Sequence, residues 1–412
     1  MFSELGVSEP LCKALAARNY TTPTPIQARA IPLLLEGRDM LGVAQTGTGK
    51  TAAFAIPVLQ LLSGPTNSQK PRALVLAPTR ELAIQIADGF KAYGANSSLR
   101  LAVIFGGVSQ HAQVQRLRRG TDIIVATPGR LLDLMQQGHV SLGSVECLVL
   151  DEADRMLDMG FIHDVRKIVA AAPRDRQSLL FSATMPPTVA KLAGDILHDP
   201  VRVDIAPKKI AVEQITQSVH FVKTDAKFDL LSSLMADKSL SRVIIFTRTK
   251  HRANRVADQL AKTGITAAAI HGNKSQGARQ RALEDFRKGN ARVLVATDIA
   301  ARGIDVTGVS HVINFELPNE AESYVHRIGR TARAGAEGAA ISFCDITEAA
   351  YLRDIETLIR IPITVASGER PTGPLVRPPQ GGNRGRQGQG PGRPQQNRGK
   401  PRRQRKPSRR AA

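Results

Sequence analysis

Residues 44–51 read AQTGTGKT, between a short apolar stretch (Met40-Leu41-Gly42-Val43) and a run of helical character from Ala52 to Leu62. A loop of small residues in a strand–loop–helix setting can curl its backbone N–H groups round phosphate oxygens. In such a loop Lys50 reaches the β and γ oxygens, the Thr51 hydroxyl takes a place on Mg²⁺, and Thr46, Gly47, Thr48 and Gly49 form the cradle. The general pattern opens with Gly where this chain has Ala44. Further along, Asp151-Glu152-Ala153-Asp154 follows a second apolar run, Cys147-Leu148-Val149-Leu150. Asp151 stands where a strand delivers a carboxylate to the Mg²⁺ shell, and Glu152 stands beside it, where a base orients water. Together the two segments imply binding and hydrolysis of a nucleoside triphosphate on a parallel α/β fold.

The remaining pattern fits that fold twice over. Apolar strand candidates at 73–77, 101–105, 123–126, 147–150 and 178–181 alternate with amphipathic stretches. After a less patterned segment the alternation resumes at 218–222, 242–246, 267–270, 292–296, 311–315 and 339–343. This rhythm predicts parallel α/β layers, and 412 residues suit two domains better than one core. The expected boundaries are a first domain over 1–205, a linker over 206–212, a second domain over 213–366 and a tail over 367–412. Only the first half has a phosphate loop. Two such halves with one nucleotide site predict a cleft between them whose closure depends on the nucleotide.

Charge points to a polyanion. The formal net charge is +21, and from Gly368 onward 13 Lys/Arg face a single acid, Glu369. The tail's Gly, Pro, Gln, Asn and Arg composition cannot bury a core, so it is expected to be disordered and to tether nucleic acid by charge alone. Cys12, Cys147 and Cys344 lack metal-ligand spacing and fit reduced thiols in a cytoplasmic protein. No apolar run approaches a membrane span, and the N-terminus lacks signal-peptide character.

The ordered series AQTGTGKT (44–51), PTRELA (78–83), GG (106–107), TPGR (127–130), DEAD (151–154), SAT (182–184), ATDIAARGID (296–305) and HRIGRTAR (326–333) resembles the DEAD-box ATP-dependent RNA helicases, most closely those of the bacterial RhlE type. The resemblance spans residues 2 to about 360. It implies two tandem RecA-like parallel-sheet domains with the basic C-terminal tail appended, using ATP and Mg²⁺. In NYTTPTPIQ (19–27), Gln27 and Tyr20 fit the family's adenine-recognition motif, with Phe2 as its upstream aromatic; an amide offers an adenine edge one donor and one acceptor. The chain departs from the family at Asn19 and Ala332, where Gly is commoner. The resemblance further assigns Asp305 to the ribose hydroxyls and Ser182 and Thr184 to coupling Asp154 with His326 across the cleft.

Arg327, Arg330 and Arg333 recur every three residues, which places them on one face of a predicted helix. The reacting γ-phosphoryl group needs a cation beyond Lys50, and the resemblance gives that arginine-finger role to Arg330 and Arg333. No motif looks like a base reader. RNA contacts are expected at the backbone, through Pro78, Thr79, Arg80, Gly106, Gly107, Thr127, Pro128, Gly129 and Arg130 in the first half. Their second-half counterparts are Arg248, Gly272, Gln276, Arg279 and Thr297. The expected activity is local unwinding of RNA duplexes or remodelling of RNA–protein complexes, with a monomeric core and with ribosomal precursors or RNA-decay machinery among its settings. The alternative is a passive RNA chaperone or scaffold whose binding, not its ATPase, matters; intact Lys50, Glu152 and Arg330 speak against it.

Overall fold

The structure, a computed structural model, describes residues 1–371 except 46, 65–68, 206–214, 302–305, 307 and 333–337. The expected linker and all of the expected tail beyond Pro371 therefore lie outside the described residues.

Strands β1 (Met40–Val43), β2 (Ala73–Leu76), β3 (Leu101–Ile104), β4 (Ile123–Ala126), β5 (Cys147–Leu150), β6 (Gln177–Ser182) and β7 (Val201–Asp204) make one parallel sheet. Its order is β3-β4-β2-β5-β6-β1-β7. Strands β8 (Ile215–Phe221), β9 (Val243–Thr247), β10 (Ala267–Ile270), β11 (Val293–Thr297), β12 (His311–Asn314), β13 (Gly338–Cys344) and β14 (Thr364–Ser367) make a second, ordered β10-β11-β9-β12-β13-β8-β14. Each strand of the second sheet occupies the place of the strand seven earlier in the first. The two RecA-like halves are topological copies.

The strands read as unbroken apolar runs because both faces are covered. In the first sheet Ala73, Val75, Val125 and Val149 pack on one side with Phe54, Ile86 and Phe90 of the helices Lys50–Leu61 and Arg80–Tyr93. Leu74, Leu76, Ile124 and Leu148 pack on the other with Leu131, Val165 and Leu192. The second sheet repeats the division, with Val243, Ile245 and Val295 on one face and Ile244, Phe246 and Leu294 on the other.

Three strands depart from this: the interior β8 reads ITQSVHF, and two others show no apolar run. β7 and β14 sit at sheet edges, and all four residues of β14 are exposed. An edge strand bonds on one side only and needs no apolar run. The end of β14 and the chain just beyond it stay attached: Ser367 Oγ meets His220 Nδ1 at 2.7 Å, and Arg370 makes a bidentate pair with Glu356 at 2.7 Å.

The duplication explains why only one half has a phosphate site. Lys50 opens the helix after β1, and Lys227 opens the helix after β8, at the equivalent position. The Lys227 ammonium is buried and pairs with the buried Glu348, while also donating to the carbonyls of Phe315 (3.1 Å) and Phe343 (3.3 Å). An internal ion pair fills the place where the first half cradles phosphate. Replacing Glu348 with Ala should strand a buried ammonium and cost about 3–5 kcal/mol in urea unfolding. The double replacement of Lys227 by Met and Glu348 by Leu should recover much of that loss, because it removes both buried charges.

Candidate active site

The phosphate loop joins β1 to the helix Lys50–Leu61. Gly47 and Gly49 take left-handed backbone, with φ of 84° and 93°. Gly49 caps the helix, and a Cβ there would stand 2.5 Å from Gln27 Nε2. Lys50 is buried and its Nζ donates to Ala44 O at 2.8 Å, which holds the ammonium back over its own loop. Gln27 belongs to a capping box: its Oε1 accepts from Thr24 N (2.9 Å) and its Nε2 donates to Gly49 O (3.1 Å). An amide has a second hydrogen and a second lone pair beyond these two bonds, and Gln27 lines the cleft. Tyr20 is partly exposed and packs edge-on against Tyr93, with ring centroids 5.8 Å apart. These groups, with Thr51, Asp151, Glu152 and Arg330, line a cleft of about 430 Å³.

Asp151 and Glu152 end β5 side by side, and both are buried. Burial and the Glu152 carboxylate push the Asp151 carboxyl up to about 6, against the pull of Lys50. A buried carboxylate so placed beside a cradle of amides and the Thr51 hydroxyl suits a divalent cation, whose charge would reverse the burial penalty. Thr51 and Asp151 would hold Mg²⁺ there. Among the described residues no cluster of three or more His, Cys, Asp or Glu forms an independent metal site.

Glu152 takes left-handed backbone (φ 54°, ψ 52°) and begins the short helix Ala153–Asp158. From its first turn Asp154 reaches β6: its Oδ2 accepts from Ala183 N (3.2 Å), Thr184 N (3.0 Å) and Thr184 Oγ1 (3.0 Å). Ser182 Oγ donates to Thr184 O at 2.7 Å. The SAT segment is thus tied to the acidic segment. Arg155, a residue the motif reading passed over, donates through Nη1 to Glu152 Oε2 at 2.8 Å.

The second half meets this surface. A small cavity of about 20 Å³ lies between Arg155 and the second-half residues Asp298, His326, Arg327 and Arg330. The expected arginine face does not form. The helix Ala321–Ile328 stops before Gly329, and Arg330 sits in the turn that follows. Gly at a helix end favours that termination. Arg327, still in the helix, turns into its own domain. It binds Asp298 Oδ2 (2.7 Å) and Glu316 O (2.7 Å) and lies 5.0 Å over the Phe246 ring. Released from the helix, Arg330 lines both the small cavity and the large cleft, with its Nε donating to His326 O at 3.2 Å. Asn19 and Ala332, where the resemblance expects Gly, both hold left-handed backbone (φ 61° and 52°). Glycine takes that conformation without strain, which accounts for the preference.

Beside the cleft, loops after β2, β3 and β4 converge. Thr79 caps the helix Arg80–Tyr93, its side chain accepting from Leu82 N at 3.3 Å. A Cβ at Gly107 would stand 2.3 Å from Arg80 Nη1, so the bare backbone there admits the arginine. Arg130 donates to Val108 O at 3.3 Å, on the first turn of the helix Pro128–Gln136 that Thr127 precedes. Burial first, then the Arg279 guanidinium, with Arg130 adding, lower the Arg80 pKa against the opposing charge of Glu81. Arg279 Nε binds Glu81 Oε1 at 2.8 Å and Gln276 Nε2 the same oxygen at 3.3 Å. Three arginines from two halves therefore share one locality, bridged by Glu81, which the sequence reading left out.

Other expected residues fall elsewhere. Phe2 is buried in the first core rather than lining the cleft. Arg248 turns to its own half, bonding Glu348 Oε1 at 2.6 Å and lying 5.9 Å over the Tyr351 ring. Gly272 lies in the turn between β10 and the Gln276–Lys288 helix, and Thr297 ends β11 in register with Thr247 of β9. Thr46, Asp305 and Arg333 lie outside the described residues.

Tandem RecA-like domains with one phosphate loop, and an arginine of the second half in its cleft, define a two-domain nucleoside-triphosphatase architecture. A DEAD/DEAH box helicase family model matches residues 24–192, and a helicase conserved C-terminal domain model matches 226–335. The chain belongs to the DEAD-box helicase family. It is 45% identical over 366 residues to ATP-dependent RNA helicase DeaD of Mycobacterium tuberculosis, covering 89% of this chain and 64% of that relative. It is 44% identical over 355 residues to DEAD-box ATP-dependent RNA helicase CshA of Geobacillus kaustophilus, covering 86% and 76%. Saccharomyces cerevisiae Dbp5 bound to RNA and ADP BeF3 superposes with a TM-score of 0.80 at 34% identity, over 89% of this chain and 95% of that one. Among the described residues no helix is long and apolar enough to cross a membrane.

Replacing Gln27 with Ala should remove both the adenine-edge partner and the brace on Gly49. Preference for ATP over GTP in competition binding should fall by about 1–3 kcal/mol, the worth of one or two hydrogen bonds.

Proposed function

We propose that this chain is an ATP-dependent RNA helicase that separates short duplexes or remodels RNA–protein complexes by closing its two halves. The observation that carries the reading is that one interface completes two sites. Arg330 enters the phosphate cleft, while Gln276 and Arg279 join Glu81 beside Arg80 and Arg130. ATP lies on the loop 44–51, with Lys50 leaving Ala44 O for the β and γ oxygens and Gln27 and Tyr20 at the base. Mg²⁺, held by Thr51 and Asp151, supplies charge at the phosphate oxygens when bound. Glu152 orients a water and takes its proton. Arg330, joined by Arg333, meets the charge that develops on the γ-phosphoryl group. Asp305 binds the ribose hydroxyls, and the Asp154–Thr184 tie with His326 relays closure.

RNA lies along Thr79, Arg80, Gly107, Thr127 and Arg130, then Gln276, Arg279, Gly272 and Thr297. Contacts to phosphates and 2′-hydroxyls make binding independent of sequence and favour RNA over DNA. A strand held across both halves takes a shape a duplex cannot keep, and loss of the cleaved phosphate lets the halves part. This fits a protein of the cytoplasm with a monomeric core.

ATP turnover measured alone, with structured RNA and with matched DNA tests the reading: RNA should stimulate, and DNA should not. Glu152→Gln should cause near-complete loss of turnover, leaving only a slow residual rate, while keeping slowly dissociating RNA binding in ATP. Normal hydrolysis in that variant would remove Glu152 from its role, and a wild type that turns over no ATP with RNA would leave the passive chaperone.

Residues 372–412 carry twelve Lys/Arg and no acid. We assign them to non-specific RNA tethering. Their removal should flatten the slope of log affinity against log salt and raise the RNA concentration needed for half-maximal turnover, with the maximum little changed.

A further inference from the structure

We propose that Arg155 is a positioning residue for hydrolysis: it fixes one oxygen of Glu152, and its enclosure by the second half makes that placement depend on closure. The inference rests on the ATPase reading above and adds a residue to it.

Glu152 sits on left-handed backbone at the end of β5, with a flexible side chain that backbone geometry alone does not aim. Three residues later Arg155 reaches back, donating from Nη1 to Oε2 at 2.8 Å, and both side chains are almost wholly buried (2% and 4% exposed). With Oε2 engaged, Oε1 is the oxygen left to receive a water's proton. Arg155 Nη2 is also buried and has no hydrogen-bond partner among the described residues. The same guanidinium lines the small cavity opposite Asp298, His326 and Arg330 of the second half. Asp298 is already held by Arg327 at 2.7 Å, so Glu152 is the carboxylate to which Arg155 is bonded. With the second half withdrawn, water would reach this guanidinium and compete for it. Enclosed, the pair lies in a medium of low dielectric, where a charge-assisted hydrogen bond is stronger and better directed. Closure therefore does two things at once: it brings in Arg330 and it tightens the clamp that aims Glu152.

The test compares wild type, Arg155→Met and Arg155→Lys in RNA-stimulated ATP hydrolysis, using the full chain. Arg155→Met should lower kcat on the order of 10–100-fold, the cost of a misaimed catalytic group. KM for ATP, and RNA affinity with a non-hydrolysable ATP analogue, should each move less than ~3-fold, because the variant leaves substrate contacts alone. Arg155→Lys should recover part of kcat, since an ammonium can reach Glu152 without reproducing the guanidinium's geometry. In single turnovers on a Glu152→Gln background, Arg155→Met should add no further loss. Unchanged kcat in Arg155→Met would overturn the proposal. So would a loss that multiplies with Glu152→Gln, or a parallel fall of kcat, ATP binding and melting temperature in both Arg155 variants, which would mean packing. Absence of RNA-stimulated turnover in the wild type would overturn the functional reading itself, a result distinct from all of these.

Discussion

Parallel strand pairing is the constraint from which the rest of this molecule follows. Every crossover returns the chain to the same end of the sheet, so each new strand delivers its following loop to the same edge. In the first sheet the loops after β1, β2, β3, β4, β5 and β6 bring there the phosphate cradle, Thr79–Arg80, Gly106–Gly107, Thr127–Arg130, Asp151–Asp154 and the SAT segment. Segments far apart in sequence become neighbours without any long-range contact designed for each. The order β3-β4-β2-β5-β6-β1-β7 then sorts them, with the loop after β1 beside β6, and the arginine-bearing segments after β2 and β4 and the glycine pair after β3 toward the far edge. The phosphate loop and the arginine-bearing segments occupy different parts of one surface.

The second sheet copies that layout but spends it differently. Where Lys50 faces an open cradle, Lys227 is locked by Glu348. A buried lysine needs a partner, and Glu348 answers both Lys227 and Arg248. That cluster removes a second nucleotide site and also draws Arg248 inward. What the second half keeps for the interface is Gln276 and Arg279 at one end and Arg330 at the other. The second half thus meets the first at two separated points, Glu81 and the phosphate cleft. On the proposed reading, coupling between nucleotide and RNA would need no wire through the core, since both contacts come from the same half.

Much of the candidate site is legible from residues alone because phosphate loops and strand-end carboxylates are local constellations. Gly47, Gly49, Lys50 and Thr51 lie within one turn, and Asp151 and Glu152 follow an apolar run that ends where a strand must end. Most inward strands were equally legible, as apolar runs buried on two faces. β7 and β14 were not, since an edge strand is held by backbone hydrogen bonds and shows no composition of its own. The arginine spacing at 327, 330 and 333 misled for a related reason. Periodicity describes a helix only while the helix lasts, and Gly329 ends it between the first and second arginine.

By itself the sequence determined the alternation of strands and helices, the presence of one phosphate loop in two similar halves, and the residue types able to bind a triphosphate. These depend on interactions within a few residues or on simple burial. Tertiary structure decided which charged groups face one another. It turned Arg248 and Arg327 inward, placed Arg330 at the cleft, set Glu81 between Gln276 and Arg279, and enclosed Arg155 with Glu152. Charge alone leaves an arginine's partner open. Only tertiary packing, within each half and between the two, determines whether its guanidinium meets a carboxylate, a carbonyl or water.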